Sequence, residues 1–210
     1  MLTLAGETRA LGRLVTRCRL GGSAEDVHEL RATARRLEVY LRLLEWRVLR
    51  ADLHRLTRAL GPLRDCDVAS EAKAGAGFER WLALRRERES ERVRALLQAP
   101  RVAALLTALE ALPSLRARTA KRVTRTLEAR AAQAIGSSFE ALHEARRATR
   151  RARLARAWLG EDVTSLKQRQ QLMGVVCDLS CVSRLLREFG DERGASVCAR
   201  GVERLVGCFS

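Results

Sequence analysis

Residues 25–44 read EDVHELRATARRLEVYLRLL, and no glycine or proline interrupts them. At about 100° per residue, the basic side chains fall in one narrow stripe of a helical wheel. This stripe contains His28, Arg31, Arg35 and Arg42. The apolar residues of this segment and its continuation cluster on the opposite face: Leu30, Ala34, Leu37, Leu41, Leu44 and Val48. The pattern predicts an amphipathic helix that packs on one face and carries positive charge on the other.

Two further apolar residues of this segment, Val39 and Leu43, fall close to the basic stripe. A helix exposed to water along its whole basic face would not need them there. We therefore expect the basic side to be partly enclosed, so that it faces a groove rather than open solvent.

The same pattern returns 115 residues later, where residues 140–159 read EALHEARRATRRARLARAWL. The two segments match at seven of twenty positions, and His28 aligns with His143 although the chain has only three histidines. A repeat of this kind predicts two equivalent helical halves, at about 1–112 and 113–210, in one domain over 1–210.

The second copy carries a basic arc of its own, formed by His143, Arg146, Arg147, Arg150 and Arg153, with Arg151 beside it. Glu144 is the one acidic residue among six arginines between 143 and 156. Like charges at this spacing destabilise an isolated helix by a few tenths of a kcal/mol per pair, approximately. An anionic ligand explains why two copies keep them, whereas the alternative is a solvated charged face. The two aligned histidines are expected to donate to phosphate, and His54, which has no counterpart, is expected to be an ordinary residue.

Composition agrees with an all-α chain that binds anions. Good helix formers dominate, and we predict helices at roughly 2–19, 25–49, 51–60, 62–74, 78–98, 101–112, 115–135, 139–159, 162–188 and 191–207. Ser23 with Asp26, and Ser137 with Glu140, have the spacing of helix caps.

The net charge is +15, and only Lys73, Lys121 and Lys167 among the 40 basic side chains are lysines. Arginine suits phosphate because its planar fork donates two parallel hydrogen bonds. A GC-rich genome would explain the preference for arginine over lysine, but not the net excess of charge.

Several classes of protein are disfavoured. The N-terminal stretch lacks the charged region of a signal peptide, and no run of 18 apolar residues occurs, so we expect a cytoplasmic protein without a membrane span. The six cysteines form no C-x-x-C pair and no histidine lies near two of them, so we expect small buried thiols and no metal. No P-loop, HExxH or G-x-S-x-G motif of the common enzyme classes occurs. Pro62 stands at the start of one predicted helix.

At these residues the sequence resembles the CHAD family, the conserved-histidine α-helical domains. The first unit reads VHELRATARRLEVYLRLL (27–44) and continues to LGPLRDCDV (60–68), and the second reads LHEARRATRRARLA (142–155). The resemblance implies two pseudo-symmetric helical bundles around a central basic groove or pore. It also implies binding of inorganic polyphosphate and targeting to polyphosphate granules. The matching positions are His28, Arg31, Arg35, Arg36, Arg42, His143, Arg146, Arg147, Arg150, Arg151 and Arg153.

The chain departs from the family pattern at Glu38, at Ala145 and Leu154, and at Cys177-Asp178. Asp65, Asp67 and Asp178 also match family positions, and we expect them to anchor arginines or cap helices rather than to react.

Two other functions are open. CHAD domains are often fused to a triphosphate-tunnel domain with an E-x-E-x-K strand, but the nearest string here, Glu87 to Glu91, lacks the lysine and lies in helical sequence. The chain could therefore be an accessory module of an enzyme, and we expect no catalysis and no cofactor in the chain itself. A nucleic-acid binder is the second alternative, although aromatic residues make up only 4% of the chain and offer few stacking platforms.

Overall fold

The computed structural model describes residues 2–134 and 138–208, and over these ranges the chain forms helices and no strand. The helices are α1 (Leu4–Arg19), α2 (Ala24–Leu43), α3 (Arg50–Ala59), α4 (Gly61–Ser70), α5 (Ala76–Gln98), α6 (Pro100–Glu110), α7 (Ala117–Gln133), α8 (Phe139–Leu159), α9 (Thr164–Phe189) and α10 (Glu192–Gly207). The all-α class is confirmed. Every predicted helix is present, and the bounds agree within four residues except at the end of α2.

Side chains at the helix starts supply the hydrogen bonds that the first backbone N–H groups lack. The predicted cap at Ser23 is a capping box, in which its Oγ accepts from the backbone N–H of Asp26 while the Asp26 carboxylate accepts from Ser23. Ser137 lies outside the described residues, and Ser138 caps α8 by accepting from the backbone N–H of Ala141. Prolines stand in the first turn of α4 and of α6, where a missing N–H costs nothing.

The prediction that α2 continues to residue 49 is wrong, because α2 ends at Leu43. Glu45 adopts a left-handed conformation with φ 61°, and the backbone N–H of Trp46 returns to the carbonyl oxygen of Leu41. This is the hydrogen-bond pattern that stops helices, usually with glycine at the left-handed position. Val48, predicted on the apolar face, is instead 79% exposed.

The largest hydrophobic cluster runs from α1 to α8 and surrounds α2. Leu30, Leu37 and Leu41 of α2 are fully buried in it. Val39 and Leu43 are buried as well, which agrees with the expectation that α2 is enclosed on more than one side. The cluster crosses the predicted boundary between the halves, and two smaller clusters join α9 and α10 to α4, α5 and α8. The division into two repeats stays a prediction.

The ring of Trp158 fixes α8 against α2. Its Nε1 donates to the carbonyl oxygen of Arg36 at 2.8 Å, and its centroid lies 4.8 Å from that of Tyr40 in an edge-on arrangement. Both rings are buried. The two helices that carry the predicted basic stripes are thus held together by a specific contact, and that contact sets which arginines face one another.

The cysteines are all free thiols, and only Cys18 and Cys66 are buried as expected. Cys177, Cys181 and Cys198 are half-buried, and Cys208 is exposed. In the described part of the chain, no helix is long and apolar enough to cross a bilayer.

Candidate anion-binding site

Four arginines converge between α2 and α8, and we call them the arginine cluster: Arg31, Arg35, Arg146 and Arg150. Burial lowers the pKa of Arg31, and repulsion from Arg150, Arg64 and Arg146 adds to it while Asp65 opposes it. Burial, followed by repulsion from Arg35 and Arg146, lowers the pKa of Arg150 as well. A guanidinium stays charged at neutral pH. Burial and mutual proximity therefore make it unfavourable for the cluster to carry four positive charges.

Nearby carboxylates in the described part of the chain attract the cluster but do not pair with its members. Within residues 2–134 and 138–208, no member of the arginine cluster makes an ion pair with a carboxylate. Arg31 donates from Nη1 to the carbonyl oxygen of Thr57, and Nε of Arg146 is buried without a hydrogen-bond partner. Leaving a charged donor buried and unpaired is costly. An anion that enters the cluster would supply the missing acceptors.

Two short backbone approaches bring the cluster close to α4 and α9. A Cβ placed on Gly61 would lie 3.5 Å from Nη1 of Arg31, and one placed on Gly174 would lie 3.8 Å from Nε of Arg146. Arg31 and Arg146 are aligned positions of the sequence repeat. The Arg31 guanidinium therefore lies close to the backbone of α4, and the Arg146 guanidinium lies close to the backbone of α9.

Other arginines of the predicted set flank the cluster and are partly neutralised. Arg147 and Arg151 share Glu144, each with a nitrogen 3.5 Å from one of its carboxylate oxygens. Arg42 pairs with Glu38 at 3.0 Å and also repels Arg151 across the two helices. These side chains extend the positive surface beyond the cluster.

The structure places Arg36 and Arg153 in packing contacts. Nε of Arg36 donates to the Glu7 carboxylate at 2.6 Å, and its Nη2 donates to the hydroxyl of Thr33. Arg36 therefore ties α2 to α1. Nε of Arg153 donates to Oε1 of Gln170 at 3.0 Å, which ties α8 to α9. The fold does not bring these two into the arginine cluster.

The two aligned histidines differ in their surroundings. His143 is exposed at the start of α8, and its ring stacks on Phe139 with the centroids 6.2 Å apart. Partial burial lowers the pKa of His143, and repulsion from Arg147, Arg146 and Arg150 lowers it further. His143 thus borders the cluster. His28 and His54 are both exposed.

Sequence reasoning missed two arginines, Arg64 and Arg50. Arg64 repels Arg31 and attracts Asp178, which places it at the α4 side of the cluster. Burial and repulsion from Arg42 lower the pKa of Arg50 at the start of α3. Arg64 stands within the motif LGPLRDCDV and could have been found there, whereas Arg50 belongs to no repeated motif.

The three aspartates at family positions behave differently. Asp67 is buried and accepts from Nε of Arg86 at 2.7 Å, and Asp65 pairs with Arg184 at 2.8 Å. These are the expected anchoring contacts. Burial raises the pKa of Asp178, against the attraction of Arg146 and Arg64. Among the described residues, no group of three His, Cys, Asp or Glu side chains could hold a metal ion.

A family profile described as "CHAD domain" matches residues 4–187. The chain belongs to the CHAD domain family. Two solved structures share its fold: the CHAD domain from the plant Ricinus communis, with a TM-score of 0.72 and 21% sequence identity, and PptA from Streptomyces chartreusis, with 0.77 and 16%. Each alignment covers 98% of this chain, and they cover 83% and 93% of the other chains respectively. A comparison with curated proteins gives no match.

Proposed function

We propose that this CHAD protein binds inorganic polyphosphate without hydrolysing it, and that the arginine cluster is the centre of its binding site. The observation that carries the proposal is the convergence of four arginines from two helices with no carboxylate partner among the described residues. Arginine forks match phosphate oxygens in geometry and in charge. Membership of the CHAD family, for which the sequence resemblance implied polyphosphate binding and granule targeting, supports the same choice.

The observed chemistry favours binding over turnover. Phosphoryl transfer depends on positioned carboxylates and metal ions as well as on cations. Two carboxylates near the cluster hold arginines instead, in the pairs of Asp65 with Arg184 and of Glu38 with Arg42, which leaves Asp178 as the nearby carboxylate without an ion pair among the described residues. Purified protein should therefore bind polyphosphate and release no orthophosphate from it, with or without Mg²⁺. Release that disappears when Asp178 is changed to Asn would contradict this part of the proposal.

Nucleic acid is the competing polyanion, and the aromatic side chains argue against it. Stacking of bases on exposed rings contributes much of the affinity of single-strand binders. Of the Phe, Trp and Tyr side chains in the described ranges, only Trp46 and Phe189 are exposed, and Phe189 packs edge-on against Phe78. No row of exposed rings borders the arginine cluster in that part of the chain.

A competition experiment decides between the two polyanions. Labelled long-chain polyphosphate bound to the protein is displaced by unlabelled polyphosphate or by single-stranded DNA at equal phosphate concentration. We expect DNA to be at least about tenfold less effective, a difference of about 1.4 kcal/mol. Equal displacement would show a general polyanion binder and would overturn the assignment to polyphosphate.

A further inference from the structure

The turn between α2 and α3 carries positive charge that its own acidic residues do not neutralise. Residues 38–55 contain three acids, and each is committed to a different arginine. Glu38 pairs with Arg42 at 3.0 Å, Glu45 with Arg122 at 2.7 Å, and Asp52 with Arg55 and Arg101.

Two arginines of this turn, Arg47 and Arg50, are left over. Neither makes an ion pair or a side-chain hydrogen bond within the described residues, and Nε of Arg50 is buried without a partner. Arg47 is exposed. Burial lowers the pKa of Arg50, and repulsion from Arg42 and Arg47 adds to this while attraction to Glu38 opposes it. The turn therefore holds a second group of cations that no ion pair within the described residues neutralises.

A chain of arginines connects this turn with the cluster. Arg150 is repelled by Arg151, Arg151 by Arg42, and Arg42 in turn repels Arg50. Along α2, Arg31 and Arg42 are eleven residues apart, or roughly 16 Å at about 1.5 Å per residue. A single phosphate group cannot reach both, but a flexible polyanion can.

The opposite end of the cluster has the reverse character. Arg64 and Arg146 there face Asp178, which lies close enough to Glu71 and Asp65 for their charges to raise its pKa. These three carboxylates offset part of the positive charge of Arg64 and Arg146, so this side attracts a second stretch of polyanion less strongly. The two ends of the site thus differ: carboxylates stand beside the arginines at the α4–α9 end, whereas Arg47 and Arg50 at the α2–α3 turn have no ion pair with the described residues.

We propose that a bound polyanion leaves the arginine cluster in one direction, past Arg42 to Arg50 and Arg47, so that these two side chains select long chains over short ones. The inference rests on the proposed function, since it concerns the same site. A polyphosphate molecule already bound at the cluster meets the second group of cations at a high effective concentration. The gain is therefore available only to ligands long enough to span both.

The test compares two ligands and two double variants. Affinities for long-chain polyphosphate and for tripolyphosphate are measured for the wild type, for Arg47→Gln with Arg50→Gln, and for Arg80→Gln with Arg88→Gln. The second pair lies on α5, is exposed, and removes the same charge. We expect the first pair to weaken long-chain binding at least fivefold and tripolyphosphate binding less than twofold. The α5 pair should change each affinity less than twofold.

Equal losses on both ligands, or a long-chain loss no larger than that of the α5 pair, would overturn the directional path. Because Arg50 is half-buried, the double variant could fail to fold. In that case Arg47→Gln alone is the deciding variant, and it should weaken long-chain binding at least twofold. A wild type that binds no polyphosphate would instead remove the proposed function. The two failures are therefore distinguishable.

Discussion

Arg150 on α8 lies beside Arg35 on α2, and no carboxylate of the described chain pairs with either. Burial disfavours charge on both guanidiniums, and repulsion adds to it, from Arg31 and Arg146 on Arg35 and from Arg35 and Arg146 on Arg150. The Trp158 contact with the backbone of Arg36 holds the helices in this arrangement. The fold therefore contains an unfavourable electrostatic interaction that a bound anion would relieve under the proposed function, and most of the expected behaviour follows from this relationship.

Replacing Arg150 by Met should stabilise the ligand-free protein while weakening binding. Met retains much of the apolar stem but removes one of four like charges, and exchanging a buried charge for an apolar residue often stabilises a fold. A gain of about 1 kcal/mol would raise Tm by roughly 2–4 °C in a chain of this size. The added Tm shift on saturation with polyphosphate should shrink, because the shift grows with affinity.

Arg88→Met is the matched control for this measurement, since Arg88 is exposed and makes no side-chain hydrogen bond or ion pair with the described residues. Its effect on Tm should be small with or without ligand. If Arg150→Met lowers the ligand-free Tm clearly more than Arg88→Met does, the cluster is not strained in the absence of an anion.

Polyphosphate affinity should fall steeply with salt. Each phosphate that an arginine neutralises releases condensed counterions, and for B-DNA the slope of log affinity against log salt is about −0.9 per contact. The value for flexible polyphosphate will differ, but removing Arg35 by the change to Gln should make the slope shallower. Titrations between low and moderate salt measure this directly. An affinity that does not depend on salt would exclude the electrostatic account.

Binding should strengthen as the pH falls through the range below 6.5, because of His143. Its pKa is lowered in the free protein by burial and by three neighbouring arginines, so the ring is neutral at pH 7.5. A bound polyanion favours the charged ring and raises that pKa. Binding therefore takes up a proton, and affinity rises with acidity.

The His143→Gln variant isolates this contribution from other titrating groups, including Asp178, whose pKa is raised. The ratio of wild-type to variant affinity should increase between pH 7.5 and pH 5. A ratio that stays constant over that range would show that His143 does not approach the ligand.

The sequence predicted much of the fold because its signals were local. Ser23 and Asp26 form the expected capping box, and the enclosure of Val39 and Leu43 could be anticipated from a helical wheel. The end of α2 could not be anticipated in this way. The turn uses Glu45 in a left-handed conformation that glycine usually occupies, so no glycine marks it.

Which arginines belong to the site depends on contacts between segments that are distant in the sequence. A helical wheel shows one helix at a time and does not include such contacts. Arg36 falls beside the basic stripe, yet Glu7 on α1 holds it. Arg50 comes near Arg42 only because α2 stops early and the chain turns into α3. One further similarity between the two segments bears on the site: Gly61 and Gly174 each stand four residues before an aspartate, and a Cβ at these positions would approach the guanidiniums of Arg31 and Arg146.

The central claim is that polyphosphate binds at the arginine cluster rather than to a diffuse positive surface. The most direct measurement is the affinity for long-chain polyphosphate of the double variant Arg35→Gln with Arg150→Gln, compared with Arg80→Gln with Arg88→Gln. Both pairs remove two positive charges, and folding of each is checked by thermal unfolding. A single hydrogen bond to a charged group contributes about 1.5–3 kcal/mol, so the cluster pair should lose at least about tenfold in affinity. The α5 pair should lose less than about twofold, and equal losses from the two pairs would contradict the account.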